Sequence, residues 1–234
     1  MKEESVKWHS QELGQETEML VFGHAGYPVI LFPTSMGRFY QNKDFKLIDS
    51  AAWFIENGLV KIYCPDSIDV QSWYNKSCHP SERARNHIRY DKMIRNEIVP
   101  RAFAETGHGK IATAGCSFGG YHAVNFGFRY PEITGYIFSM AGAFDIKPQV
   151  DGYYDDDVYY NNPPDFIPNL SHPAAWNIGI VLGTSDGDMC LKENIRMSEI
   201  LHHKEIRHWL DVRKGPHDWH VWHEMFPEYL AQIK

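Results

Sequence analysis

The sequence lacks the features that direct a chain to a membrane, to secretion or to nucleic acid. No apolar run approaches the ~20 residues that a membrane-spanning helix needs, and residues 1–16 contain no apolar stretch typical of a signal peptide. Lysine and arginine form no cluster, and the net charge of −7 is unfavourable for contact with a polyanion. We therefore expect a cytoplasmic protein whose partner is a small molecule, and neither nucleic acid nor a membrane.

Spacings typical of metal sites and disulfide frameworks are also missing. The four cysteines lie far apart with no C-x-x-C pair, which favours reduced thiols. The acidic stretch DGYYDDD (151–157) lacks the spacing of a calcium loop, and the histidine-rich stretch LHHKEIRH (201–208) does not match H-E-x-x-H. We expect no metal and no cofactor.

What the sequence does contain is a regular alternation of short apolar runs and helical patterns. Strands are predicted at 17–23, 28–34, 59–66, 110–117, 136–144, 177–186 and 207–215, and helices at 46–58, 81–99, 118–131, 194–203 and 218–233. Most strands are apolar on both faces, which indicates an α/β protein with a mainly parallel sheet covered by helices on both sides. With 234 residues we expect one domain spanning 1–234.

The stretch G-C-S-F-G at 115–119 is the first candidate for chemistry. It fits G-x-S-x-G and stands between a predicted strand and a predicted helix, as a nucleophile turn requires. Gly115 and Gly119 leave room for a sharp turn that exposes the hydroxyl of Ser117. Ser117 is therefore the predicted nucleophile, although a glycine-rich turn that merely contains a serine would give the same five letters.

A serine nucleophile needs a histidine base, and the chain has thirteen histidines. Ligands of parallel sheets bind beyond the carboxyl ends of the strands, and His217 directly follows the last predicted strand. We predict His217 as the base, with His220 as the second choice.

The base needs an orienting carboxylate, and three aspartates are candidates. Asp186 ends the predicted strand 177–186, Asp188 stands two residues later, and Asp145 follows the preceding strand as a weaker candidate. We predict Asp186, since the chain order serine, aspartate, histidine is that of α/β-hydrolases.

The loop FPTSMGR (32–38) follows another predicted strand and would supply one backbone N–H to an oxyanion hole. Ser35 is the predicted donor, with Thr34 or Met36 as alternatives. Phe118, the residue after the nucleophile, is the second predicted donor.

The motifs G-C-S-F-G-G (115–120), G-T-S-D (183–186) and H-D-W-H-V-W (217–222) resemble those of the esterase-D-like branch of the α/β-hydrolases. This branch includes S-formylglutathione hydrolases, feruloyl esterases and mycolyltransferases. The resemblance runs from about residue 17 to the last helix and implies an α/β-hydrolase fold with Ser117, Asp186 and His217 as the triad. The loop at 32–35 departs from the His-Gly pattern of the family, so the oxyanion donor stays open.

Two irregular segments, 65–82 and 145–173, are rich in aromatic residues and could line a substrate pocket. Trp73 in the first is our candidate for substrate contact, although packing of the loop is the simpler role. Arg38 is a second candidate, with solvation at the surface as its simpler role.

Together these residues predict a serine hydrolase that cleaves small acyl or aryl esters through an acyl-enzyme. One alternative is an acyltransferase with the same triad, and another is a non-catalytic binding module of the same fold. The partner is then a small-molecule ester, and self-association into a homo-oligomer stays open.

Overall fold

A computed structural model describes all residues, 1–234, and is built around one sheet of eight strands. The strands are β1 (Glu3–Ser10), β2 (Gln15–Phe22), β3 (Tyr27–Phe32), β4 (Val60–Pro65), β5 (Ile111–Cys116), β6 (Thr134–Met140), β7 (Gly179–Gly187) and β8 (Trp209–Pro216). Their order across the sheet is β1-β2-β4-β3-β5-β6-β7-β8. Strands β3 to β8 pair in parallel, whereas β1 and β2 form an antiparallel hairpin that continues onto β4.

Nine of the ten helices lie between strands in the sequence, and the tenth follows β8. They are α1 (Gln41–Asp44), α2 (Leu47–Ser50), α3 (Ala52–Glu56), α4 (Pro80–Met93), α5 (Val99–Thr106), α6 (Phe118–Arg129), α7 (Asp156–Tyr159), α8 (Pro163–Phe166), α9 (Leu191–His203) and α10 (Trp219–Leu230). None of them is long and apolar enough to cross a lipid bilayer.

Strand β3 illustrates why the central strands read as continuous apolar runs. Val29 and Leu31 pack into a core with α2 and α10, whereas Ile30 and Phe32 pack into a second core with α4, α5 and α6. Successive side chains of a strand point to opposite faces, so a strand that is covered on both faces must be apolar at every position. The predicted α/β class with a mainly parallel sheet is confirmed.

The N-terminal strand β1 and the helix around residue 97 are the two main departures from the predicted elements. Strand β1 is missing from the prediction because it is an edge strand whose polar residues hide a weak alternation, with Val6 and Trp8 half-buried. The predicted helix 81–99 continues to Thr106 through a π-turn at Ile94–Ile98, which accommodates Pro100.

Glu97 in that π-turn also binds the hairpin of β1 and β2. The carboxylate of Glu97 accepts hydrogen bonds from Trp8 Nε1 at 2.7 Å, Ser10 Oγ at 3.0 Å and the N–H of Glu12 at 3.0 Å. A carboxylate that accepts several donors is a strong anchor, so the edge of the sheet is held at a defined position.

The segment 145–173 folds into short helical turns that pack against the body. Val150 and Val158 join a small core with Trp73 and Tyr121, and Asp151 binds Arg83 of α4 at 2.6 Å. Val150, Val158 and Phe166 of this segment are therefore buried, whereas Tyr154 and Tyr160 are 50% and 56% exposed.

Candidate active site

The carboxyl ends of four strands bring the candidate residues to one edge of the sheet. Ser117 follows β5, Asp188 follows β7 and His217 follows β8, while the loop 33–36 follows β3. Because β3 and β5 are neighbours, as are β7 and β8, the sheet order places the loop beside the serine and the aspartate beside the histidine.

Ser117 stands in a strained backbone conformation between β5 and α6. Its φ of 55° and ψ of −121° are rarely adopted by residues other than glycine. The turn is held by the N–H of Ser117, which donates to the carbonyl of Met140 at 2.8 Å. A Cβ atom at Gly115 would lie 2.3 Å from the carbonyl of Gly119, and one at Gly119 would lie 2.5 Å from the carbonyl of Pro33. The two glycines of the motif are therefore required for the close approach of strand and helix.

Two hydrogen bonds join the serine, the histidine and a carboxylate. Ser117 Oγ lies 3.0 Å from His217 Nε2, and His217 Nδ1 lies 2.8 Å from Asp188 Oδ1. The side chain of Asp188 is 1% exposed and that of His217 is 14% exposed. The edge of the imidazole also packs on Trp222, with ring centroids 5.1 Å apart. The ring is thus fixed between a buried acceptor on one side and the serine hydroxyl on the other.

The aspartate that meets the histidine is Asp188 and not Asp186, which corrects the sequence-based choice. Strand β7 continues to Gly187, one residue further than predicted, so the first carboxylate beyond the strand is Asp188. Asp186 is exposed and accepts the N–H of Gly215 at 3.1 Å, which ties the ends of β7 and β8 together.

The second-choice residues lie elsewhere. His220 is exposed in the first turn of α10, and its N–H donates to Asp218. Asp145 binds the N–H of Lys147, and its own N–H donates to Glu193. Neither residue makes a hydrogen bond with the pair Ser117 and His217.

Of the three candidate N–H groups in the loop after β3, only that of Ser35 has no acceptor. The N–H of Thr34 donates to Gln41 Oε1, and the N–H of Met36 donates to Asp69 Oδ2, both at 2.9 Å. Phe118 is the first residue of α6, and the first N–H groups of a helix have no partner within it. The arrangement is therefore compatible with donors at Ser35 and Phe118.

The two residues predicted to contact substrate have other partners. Trp73 is fully buried, and its Nε1 donates to the hydroxyl of Tyr121 at 3.1 Å. The Nε of Arg38 donates to both oxygens of Asp66, at 2.8 and 2.9 Å. Trp73 is thus a packing residue, and Arg38 is held in an ion pair at the surface, where the hydrogen bond to Asp66 raises its pKa.

Three residues near the site were not selected from the sequence. The hydroxyl of Tyr74 donates to Ser35 Oγ at 2.9 Å, and the ring of Tyr74 packs edge-on against Phe118. Asp69 and His122 form a buried pair behind the loop, with His122 Nε2 3.0 Å from Asp69 Oδ1. Tyr74 is the immediate neighbour of Trp73 in a turn, where the sequence does not indicate which of the two aromatic rings is buried.

A donor set for a cation also exists at the histidine. Ligand atoms of Asp188, Cys190 and His217 all lie within 4.8 Å of one another. Burial, together with the charges of Asp188 and Glu193, raises the pKa of the Cys190 thiol to about 12, so this group stays protonated at neutral pH. A protonated thiol is a poor metal ligand, and the other two groups already bind each other, so the set suits a hydrogen-bonded pair better than a metal ion.

Four clefts of the surface, with volumes of about 690, 490, 390 and 480 Å³, are lined by residues other than Ser117, Asp188 and His217. The third of these is lined by Asp218, Trp219 and His220, which directly follow His217. Two exposed apolar side chains follow residues of the site in the sequence: Met36, after Ser35, is 50% exposed, and Met189, after Asp188, is 82% exposed.

Comparison with known proteins gives a family and a fold. None of the curated proteins matches the sequence. Among solved structures, the chain is similar to a ferulic acid esterase, with 16% identity, 99% of this chain and 97% of the other covered, and a TM-score of 0.80. It is also similar to an S-formylglutathione hydrolase from Agrobacterium tumefaciens, with 13% identity, coverage of 99% and 95%, and a TM-score of 0.74.

A third similar structure is the fluorophosphonate-binding serine hydrolase F of Staphylococcus aureus, with 13% identity, coverage of 99% and 98%, and a TM-score of 0.74. These similarities confirm the α/β-hydrolase fold. The family model named "Putative esterase" matches residues 10–233. The chain therefore belongs to this esterase family, in the esterase-D-like branch of the α/β-hydrolases, and is a carboxylic ester hydrolase.

Proposed function

We propose that the protein hydrolyses small acyl or aryl esters through an acyl-enzyme on Ser117, with His217 as the base and Asp188 as the orienting acid. The observation that carries this proposal is the continuous pair of hydrogen bonds, 3.0 Å from serine to histidine and 2.8 Å from histidine to aspartate. A serine hydroxyl is a poor nucleophile at neutral pH unless a base within hydrogen-bond reach removes its proton.

In the first half of the reaction, Ser117 Oγ bonds to the ester carbonyl carbon as its proton passes to His217 Nε2. The carbonyl oxygen becomes an oxyanion, which the N–H groups of Phe118 and Ser35 stabilise. The intermediate then collapses, the carbon–oxygen bond to the alcohol breaks, and the alcohol leaves with the proton of His217 Nε2. The buried carboxylate of Asp188 accepts the Nδ1–H throughout and stabilises the imidazolium.

In the second half, water takes the place of the alcohol. His217 Nε2 removes a proton from the water as its oxygen bonds to the acyl carbon, and the same two N–H groups hold the second oxyanion. Collapse breaks the bond to Ser117 Oγ, which regains the proton from His217. The products are a free carboxylic acid and the unmodified serine, so the atoms of one ester and one water are balanced.

The substrate class follows from the surroundings of the serine. Tyr74 packs edge-on against Phe118, the residue after Ser117, and the exposed side chains of Met36 and Met189 adjoin Ser35 and Asp188 in the sequence. Methionine adapts to varied apolar shapes, which suits an acyl or aryl group of modest size. The likeness to a ferulic acid esterase and to an S-formylglutathione hydrolase supports testing hydroxycinnamoyl esters and a formyl thioester first.

Two other functions were open from the sequence. An acyltransferase needs its acceptor to compete with water for the acyl-enzyme, and the match to the esterase family supports hydrolysis over transfer. A non-catalytic binding module would have no use for the hydrogen-bonded arrangement of Ser117, His217 and Asp188, and membership of the esterase family opposes that alternative.

The experiment is a panel of p-nitrophenyl acetate, p-nitrophenyl butyrate, methyl ferulate and S-formylglutathione, assayed with wild type and Ser117→Ala. We expect turnover of at least one ester and a loss of at least about 10⁴-fold in the variant, since the triad acts as a unit. Wild type should also form a stable adduct with a fluorophosphonate probe on Ser117, seen by mass spectrometry. Equal turnover by the two proteins, or an adduct at another residue, would end the proposal.

The acyltransferase alternative is tested in the same panel by adding an acceptor that competes with water for the acyl-enzyme. Adding an alcohol such as methanol to the p-nitrophenyl butyrate assay measures the ratio of methyl ester to free acid. We expect free acid to dominate.

The location of the protein in the cytoplasm, its self-association and the avoidance of nucleic acid and membranes stay predictions.

A further inference from the structure

A buried carboxylate lies directly behind the loop that carries the proposed donor Ser35. The side chain of Asp69 is 1% exposed and belongs to the turn that follows β4. Its Oδ2 accepts the N–H of Met36 at 2.9 Å, and its Oδ1 lies 3.0 Å from His122 Nε2. Both oxygens are therefore engaged in directional hydrogen bonds within a site that excludes water.

The turn after β4 also binds the side chain of Ser35. The backbone carbonyl of Asp69 accepts the N–H of Tyr74 at 3.0 Å, and the hydroxyl of Tyr74 donates to Ser35 Oγ at 2.9 Å. Ser35 is thus held through its own side chain and through the next amide, that of Met36. Its N–H is left without an acceptor between these two attachments.

Met36 adopts a conformation that needs such support. Its φ is 55°, in the left-handed region, which is strained for a residue other than glycine. A backbone of this kind persists only when its surroundings determine it, and here the Met36 amide donates to Asp69 while the next amide, of Gly37, donates to the carbonyl of Thr34 at 2.9 Å. The direction of the Ser35 amide is set by the same peptide geometry.

His122 connects this support to the helix of the serine. It lies in α6, five residues after Ser117, and its ring is enclosed by Phe32, Tyr90 and Phe118 at centroid distances of 5.1 to 5.5 Å. The Nδ1 atom of His122 is buried without a partner. The proton of the ring is therefore assigned to Nε2, where it is donated to Asp69.

We infer that Asp69 and His122 are positioning residues for the oxyanion hole. They link α6, whose first amide is one donor, to the loop after β3, whose Ser35 amide is the other. This inference rests on the proposed function, because it assigns a role within the acyl-enzyme reaction. Since both halves of that reaction form an oxyanion, a misplaced donor slows both, and kcat falls while KM changes little.

The test compares Asp69→Asn with Asp66→Asn. Asp66 is a matched control, because it lies three residues before Asp69. Its Oδ1 accepts the N–H of Phe39, which follows Met36 by three residues in the loop after β3. The amide introduced by Asp69→Asn would present a donor to either Met36 N–H or His122 Nε2–H, so one bond is lost. We expect Asp69→Asn to lower kcat by about 10- to 100-fold, the range for displacement of a catalytic group by up to an ångström. Asp66→Asn should change kcat by less than about twofold, the effect expected of a site remote from the reacting atoms.

Two further readouts distinguish positioning from general loosening of the fold. A trifluoromethyl ketone forms a tetrahedral oxyanion adduct with the serine, so its Ki should rise in proportion to the fall in kcat/KM. The shape of the pH–rate profile should stay that of wild type, because His217 is not altered. A shifted profile, or an unchanged Ki beside a lowered kcat, would overturn the inference.

A second pair of variants covers the case in which Asp69→Asn does not fold. His122→Gln keeps a nitrogen donor near the position of Nε2, whereas His122→Leu removes it. We expect His122→Gln to retain more of the wild-type kcat than His122→Leu, with melting temperatures of the two variants matched within a few degrees. Equal kcat values in this pair would overturn the inference while leaving Ser117-dependent hydrolysis intact. Absence of Ser117-dependent hydrolysis in wild type would instead remove the proposed function, and the inference with it.

Discussion

The two ends of the parallel strands differ in what they offer to a ligand. The amino end opens into the cleft of about 690 Å³, which has aromatic walls such as Tyr136 and Trp209 and the cations Lys110 and Arg207 at its rim. At the carboxyl end a cleft of about 390 Å³ lies beside the residues that follow His217, and there a serine hydroxyl lies 3.0 Å from an imidazole. The larger space thus lies at one end of the sheet and the paired reactive groups lie at the other.

Backbone strain and hydrogen-bonded side chains therefore distinguish the end of the sheet that carries the candidate site better than cleft volume does. Ser117 and Met36, both just beyond the carboxyl ends of strands, have positive φ values of 55°. The amide of Ser117 donates to the carbonyl of Met140, and the amide of Met36 donates to Asp69. The amino end combines charge and aromatic surface, but its lining contains no carboxylate side chain that could orient a base.

The most direct way to examine the carboxyl end is to compare its two neighbouring aspartates. Asp188→Asn should lower kcat/KM for p-nitrophenyl acetate by about 10⁴-fold, because an amide disfavours the tautomer in which His217 Nε2 can accept a proton. Asp186→Asn should lower it by less than about tenfold, because Asp186 binds only the amide of Gly215. The reverse order of the two losses would restore the choice made from the sequence.

A smaller effect is expected from the contact between α6 and the end of β3. Gly119→Ala would place a methyl group 2.5 Å from the carbonyl of Pro33 and 2.7 Å from that of Phe32. Overpacking of this kind costs about 1–3 kcal/mol, which lowers the melting temperature by about 2–4 °C per kcal/mol in a chain of this size.

Gly109→Ala is the matched control for that substitution, because a methyl group there meets no atom within 4 Å. Calorimetry of both variants should give a lowered midpoint for Gly119→Ala only. Activity of Gly119→Ala should also fall, since the displaced backbone leads into the loop of Ser35. Equal midpoints for the two variants would contradict the close approach of helix and strand.

The smallest effect is expected at the amino end. The double variant Lys110→Ala and Arg207→Ala removes two cations from the rim of the large cleft without touching the core. Its kcat/KM should stay within about twofold of wild type, because surface substitutions far from a site rarely alter it. A loss of tenfold or more would connect this cleft to the reaction and remove the contrast between the two ends.

The parts of the site that follow from local patterns could be predicted from the sequence. The G-x-S-x-G turn needs its glycines for steric reasons, and the strand-then-helix context located Ser117 beyond a central strand. His217 followed from its place after the last strand. The structure brings these two side chains within hydrogen-bond distance, although they are 100 residues apart in the chain.

Other parts depend on where a strand ends or which way a side chain points. Extending β7 by one residue, to Gly187, exchanges Asp186 for Asp188 at the histidine. Neighbouring residues of an irregular loop point in different directions, so Trp73 is buried while Tyr74 reaches Ser35. Asp69 and His122 lie 53 positions apart, and only the packing of the loop onto α6 brings them together.

The distance along the chain between Ser117 and His217 has a consequence for synthesis. The turn that strains the serine is complete once β5, β6 and α6 have formed, but the histidine is translated 100 residues later and is positioned only when β8 joins β7. A nascent or truncated chain that ends before β8 would contain the serine turn and lack His217, the proposed base. Ester hydrolysis would therefore begin only after the last strand has joined the sheet, which makes turnover a direct signal for the completion of folding in refolding or translation experiments.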